Sequence, residues 1–292
     1  MSTPRFVTLP PGVRRTTVET SRGVFAALEA FPGSGVPERA PALLVPGYTG
    51  SKEDFIAVLQ PLARAGRRVV AVDMRGQFET AGSTDPAVFT RAALGDDVAA
   101  LAEALGPEPV HLVGHSFGGL VTREAVLSGR LLPASYTIMS SGPAGVTGRA
   151  AARAQALRDA VPQLGLGQIW DLSLGPDALG RGLPEEIVDF LKARTLSNCE
   201  TGLVAMAHEL LTCPDRVDEL VKVAEDTGLR TLVLYGEDDD CWEPREQALM
   251  AERLDAAKVV IPGAAHSPAV EAPETTASAL TDFWNHCERG IR

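Results

Sequence analysis

Short apolar runs alternate with helix-spaced segments along most of this chain, and that alternation sets its fold class. Residues 43–45, 69–72, 110–113 and 136–139 are apolar runs of strand length. Residues 53–65, 86–105 and 117–127, between them, repeat apolar side chains every three or four positions, as one face of a helix requires. Strands buried on both faces and joined by helices form a parallel sheet covered on both sides. Two β-rich runs, residues 16–20 and 24–31, flank Ser21-Arg22-Gly23 and predict a leading hairpin. Strands at 231–235 and 258–261, with helices at 246–254 and 275–287, resume the pattern near the end. The expected fold is α/β: a mostly parallel eight-stranded sheet with helices on both faces.

Residues 145–227 break the alternation, with helical stretches at 150–161, 185–194, 201–211 and 215–224 and no convincing strand. They are expected to be a helical insertion after the sixth strand, bracketed by a core made of residues 1–144 and 228–292. A chain of 292 residues is long enough to bury such a core. Its 27 Lys+Arg against 38 Asp+Glu give 27 − 38 = −11, and no basic cluster longer than a pair occurs, which argues against nucleic acid as a partner. Four cysteines without a C-x-x-C pair demand neither disulfides nor a zinc site. The opening residues lack a signal-peptide apolar run, and no stretch has membrane-spanning length, so a cytoplasmic protein without a membrane partner is expected. Oligomeric state is not readable.

The sharpest chemical signal is Val113-Gly114-His115-Ser116-Phe117-Gly118-Gly119, a G-x-S-x-G directly after an apolar run and directly before a helical one. A serine on so tight a strand-to-helix turn projects its hydroxyl from the sheet edge, and the flanking glycines avoid collisions. The competing reading is a Gly/Ser turn without chemistry. A serine hydroxyl must pass its proton to a base that is itself oriented by a carboxylate. His111 lies inside a strand, His115 inside the turn, His208 in the insertion and His286 on a terminal helix. His266 follows the last strand in the loop Pro262-Gly263-Ala264-Ala265-His266-Ser267-Pro268, where strand ends meet, and is the expected base. The carboxylate is expected from Glu237-Asp238-Asp239-Asp240, just after the seventh strand; spacing alone does not choose among them.

A strand, GHSFG and a helix, then YGEDDD, then GAAH, in the chain order Ser, Asp, His, resemble the α/β-hydrolase family over nearly the whole chain. The resemblance implies Ser116 as nucleophile, His266 as base and Asp239 as acid, the last position of a G-x-x-D turn, with Asp238 and Asp240 as possible substitutes. It implies that residues 145–227 are a cap serving as substrate lid. The oxyanion would be held by the backbone N–H of Phe117 and, from the loop Val45-Pro46-Gly47-Tyr48-Thr49-Gly50, by that of Tyr48. Pro46 stands where the family often has histidine. Asp73-Met74-Arg75-Gly76 resembles the family's D-x-R-G turn, expected to be shaped by a charged pair and a glycine, and Gln77, Phe78 and Glu79 are expected to face the pocket mouth.

The implied activity is cleavage of a small-molecule carboxylic ester, lactone or thioester through an acyl-enzyme, with no metal or organic cofactor. Perhydrolase or C–C bond hydrolase chemistry on the same residues, and a non-catalytic ligand-binding protein, are the alternatives. The orientation of Trp170, Phe190, Met206 and Trp242 toward a pocket is not readable from sequence.

Overall fold

The computed structural model describes residues 2–289. Eight strands, β1 (Val13–Thr20), β2 (Gly23–Ala30), β3 (Arg39–Val45), β4 (Arg67–Val72), β5 (His111–His115), β6 (Ser135–Met139), β7 (Thr231–Gly236) and β8 (Ala257–Ile261), form a single sheet. Their order is β1-β2-β4-β3-β5-β6-β7-β8. β1 and β2 make the expected hairpin, β2 is antiparallel to β4, and every later pairing is parallel.

The helices are α1 (Ile56–Arg64), α2 (Arg91–Ala104), α3 (Phe117–Leu127), α4 (Gly148–Ile169), α5 (Gly175–Gly180), α6 (Glu185–Leu196), α7 (Glu200–Thr212), α8 (Val217–Thr227), α9 (Pro244–Arg253), α10 (Pro268–Glu271) and α11 (Pro273–Arg289). None of the described helices is long and apolar enough to cross a membrane.

Strand alternation explains the two cores. Leu43, Val45, Val70 and Val72 pack on one face with Phe117 and Leu120 of α3, whereas Ala42, Leu44, Val69 and Ala71 pack on the other with Val58 and Leu62 of α1 and Leu280 and Trp284 of α11. Fully burying each such Leu or Val contributes roughly 1.5–3 kcal/mol. β8 closes one edge and leaves Val260 exposed.

Several elements differ from the expectation. The predicted helix over 86–105 is divided: residues Pro86–Phe89 make a 3-10 turn, Thr90 adopts an extended backbone, and its hydroxyl accepts the Ala93 N–H to cap α2. The helix predicted at 150–161 extends to Ile169 with a bend at Gly165, whose φ of 70° few other residues tolerate. Trp170–Leu174 form a π-helical turn leading into α5, where no element was expected. α8, within the 145–227 range, packs against α3 and α9.

Candidate active site

Ser116 sits between β5 and α3 with φ 56° and ψ −124°, a conformation that costs a non-glycine residue about 1–3 kcal/mol. Its N–H donates to the Met139 carbonyl of neighbouring β6 at 2.9 Å, which helps fix the turn. The glycine spacing follows from contact. A Cβ on Gly118 would come within 2.6 Å of the Val45 carbonyl oxygen, and one on Gly114 within 2.5 Å of the Gly118 oxygen. Neither position admits a side chain.

The other two expected side chains converge on this serine. His266 Nε2 lies 2.9 Å from Ser116 Oγ, and His266 Nδ1 lies 2.9 Å from Asp239 Oδ1. Asp239 is buried and also accepts the Cys241 N–H and the Gln247 amide, each at 2.9 Å. Asp238 and Asp240 are exposed, and Asp240 pairs with Arg153. The geometry thus separates three adjacent acids that sequence left open.

Burial disfavours the charged forms of both partners, yet contact outweighs it. Asp239 is held below the usual carboxylate range by its three hydrogen bonds and by His266. His266 is pushed above the usual imidazole value by the hydrogen bond and charge of Asp239, with Cys241 adding to the effect. A histidine so placed binds a proton readily.

The remaining histidines are elsewhere or otherwise engaged. His111 is buried, bonds Ser135 and Glu288, and stacks on Trp284 with ring centroids 5.0 Å apart. His115, expected to stay inside its own turn, reaches the same site by another route: its Nε2–H donates to the His266 carbonyl oxygen at 2.8 Å. Its position beside the serine was the available signal; the loop it would meet was not.

Phe117 is the first residue of α3, where a backbone N–H has no acceptor within the helix. The loop bearing Tyr48 passes so close that a Cβ on Gly47 would lie 2.8 Å from Ser116 Cβ. Two contacts hold this loop: Gln77 donates to the Gly47 carbonyl at 3.0 Å, and the Tyr48 hydroxyl donates to the Leu203 carbonyl at 3.1 Å. The D-x-R-G turn is built differently from the expectation, because its two charges point to opposite sides. Asp73 bonds Lys52 Nζ at 2.8 Å and its N–H at 2.7 Å, whereas Arg75 pairs with Asp97 at 2.7 Å. Gln77, Phe78 and Glu79 do not line the cavity: Gln77 is buried behind Gly47, Phe78 meets Phe190 edge-on, and Glu79 pairs with Lys52.

A cavity of about 500 Å³ holds Ser116 and His266 in its floor. Ala150, Ala154 and Leu157 of α4 form much of its apolar wall, with Leu203 and Leu210 of α7. Of the aromatic and Met side chains left open by sequence, Trp242 lines it and donates to the Ala144 carbonyl at 3.0 Å, while Trp170, Phe190 and Met206 do not line it.

Comparison with known proteins places this geometry in context. The match to the structure of a thermophilic esterase from Thermogutta terrifontis has a TM-score of 0.73 and 26% identity, covering 94% of this chain and 99% of that one. The sn-1-specific diacylglycerol lipase ABHD11 of Mus musculus is 24% identical over 81% of this chain and 78% of its own length. A proline iminopeptidase of Lactobacillus helveticus (strain DPC 4571) is 34% identical over 29% of this chain and 29% of its own. Several curated relatives are matched, as here, over about a third of their length. The model of the alpha/beta hydrolase family matches residues 42–279, and with that match over most of its length the chain belongs to this family.

Proposed function

We propose that this protein is a serine hydrolase that cleaves a small-molecule carboxylic ester, lactone or thioester through an acyl-enzyme on Ser116. The observation that carries the reading is the continuous relay from Ser116 Oγ through both ring nitrogens of His266 to Asp239, with 2.9 Å at each step, in the floor of an apolar cavity.

His266 Nε2 takes the hydroxyl proton as Ser116 Oγ bonds to the substrate carbonyl carbon, and Asp239 stabilises the imidazolium. The carbonyl oxygen becomes an oxyanion held by the N–H groups of Phe117 and Tyr48. The carbon–heteroatom bond then breaks, and the leaving group departs with the proton from His266. Water repeats the sequence on the acyl-enzyme, releasing the acid and restoring Ser116. Apolar α4 and α7 side chains around the site suit an uncharged acyl group. The esterase named among the structural relatives supports the same class.

Labelling with a fluorophosphonate tests the assignment. Stoichiometric labelling of the wild type, lost in Ser116→Ala together with turnover of p-nitrophenyl esters, is expected; undiminished hydrolysis by Ser116→Ala would reject it.

A further inference from the structure

We propose that Cys241, His266 and Asp239 form a binding site for a thiophilic divalent cation, of the class of Zn²⁺ or Cd²⁺, whose occupation switches off the proton relay. A thiol sulfur, an imidazole nitrogen and a carboxylate oxygen from these residues all lie within 4.8 Å of one another. Those are the ligand types zinc accepts, and three of them leave a fourth tetrahedral position for water.

The site is both preset and reachable. Asp239 Oδ1 accepts the Cys241 N–H and contacts His266 Nδ1, each at 2.9 Å, so one buried carboxylate anchors both neighbours. Cys241 and His266 are half-buried and line the cavity that holds Ser116, which gives an ion a way in. Other cysteines are differently placed. Cys213 lies 3.0 Å from the Arg123 guanidinium, which opposes a cation, and Cys199 donates to the Ser83 carbonyl.

Proton accounting explains the inhibition. Cys241 releases its thiol proton to solvent and binds as thiolate. The metal takes the lone pair at His266 Nδ1, so the single proton of the neutral ring moves to Nε2. A protonated Nε2 cannot accept from Ser116 Oγ, 2.9 Å away. One proton leaves per ion bound. The inhibitory consequence rests on the serine hydrolase reading; the binding does not.

The test uses the full chain. Cd²⁺ titration is followed by the ultraviolet thiolate-to-cadmium charge-transfer band, and Zn²⁺ inhibition by p-nitrophenyl acetate hydrolysis relative to each variant's own metal-free rate. One Cd²⁺ per chain is expected, with the band lost in both Cys241→Ser and Cys241→Ala. The Zn²⁺ concentration for half-inhibition should rise at least about tenfold in both, since even outer partners of metal ligands are worth that much, and a chelator should restore wild-type activity. An unchanged band in the two variants, or equal Zn²⁺ sensitivity, overturns the site. If the band behaves as expected while no acyl substrate is turned over, the hydrolase reading fails and the metal site stands.

Discussion

His115 donates from Nε2 to the main-chain carbonyl of His266 at 2.8 Å, so the residue preceding Ser116 in the chain holds the loop that carries His266. The ring is buried and meets Phe55 edge-on with centroids 6.4 Å apart. Burial, with the neighbouring His266, depresses its pKa to about 3, and it therefore stays a neutral donor across the working range.

Replacing that donor should impair turnover more than binding. His115→Phe keeps a ring of similar bulk but leaves the part-buried His266 carbonyl without its donor, a loss of about 1 kcal/mol or more. Expressed in catalysis, this is about tenfold or more in kcat with KM little changed. His115→Gln, which can still donate, should recover part of the loss. Equal kcat in the Phe variant and the wild type would show that the contact does not position His266.

The acid is tested by separate Asp238→Asn, Asp239→Asn and Asp240→Asn variants. Asp239→Asn should lower kcat by up to about 10⁴-fold, as when a triad carboxylate loses its charge elsewhere, and the two exposed positions should change little. The pH profile adds a second readout. His266 must be neutral to act as base, and Asp239 raises its pKa, so activity should fall as pH drops through a value above the ordinary imidazole range. Removing the Asp239 charge should move that acidic limb down; an unmoved limb would assign the shift to another group.

Much of this organisation was legible because it depends on local pattern. Apolar runs such as Leu43-Leu44-Val45 marked the buried strands, and the Gly114 and Gly118 spacing marked a turn that admits no side chain. The choice of Asp239 came from resemblance, while its physical cause, burial with three donors, exists only after folding. Long-range partners were invisible. Asp73 and Arg75 are two residues apart, yet they pair with Lys52 and Asp97 because they point to opposite sides of the turn. Likewise, nothing in the local sequence says that Gln77 supports Gly47, or that α8 packs against α3 and α9.

Gly47 tests how tightly the Tyr48 loop is set. An added Cβ would stand 2.8 Å from Ser116 Cβ and 3.1 Å from its Oγ, so Gly47→Ala must displace the loop or the serine. A lost oxyanion donor costs about 10²–10³ in rate. Gly47→Ala should show a fall of that order in kcat/KM and slower fluorophosphonate labelling, with its circular dichroism retained. Wild-type labelling rates would mean that the loop gives way without affecting the site.

Two buried histidines should each lower stability as the solution is acidified, against the opposite contribution of Asp73, whose pKa burial raises to about 7. Burial lowers the pKa of His111 to about 4, and that of His115 to about 3, both from an ordinary 6.5. Between pH 6.5 and about 4 the unfolded chain therefore binds protons at these two positions that the folded chain does not, so their contribution to stability declines with falling pH. Each histidine contributes up to ~1.4 kcal/mol per pH unit in that window. His266 acts oppositely and elsewhere: its raised pKa adds stability that is present below 6.5 and lost as pH rises through its folded value, leaving no slope below 6.5. Urea midpoints measured between pH 6.5 and 4.5 in the wild type and His111→Gln should differ in slope by about one proton's worth, the wild type losing more stability on acidification. The same slope in both would show that His111 is not held neutral between Ser135, Glu288 and Trp284.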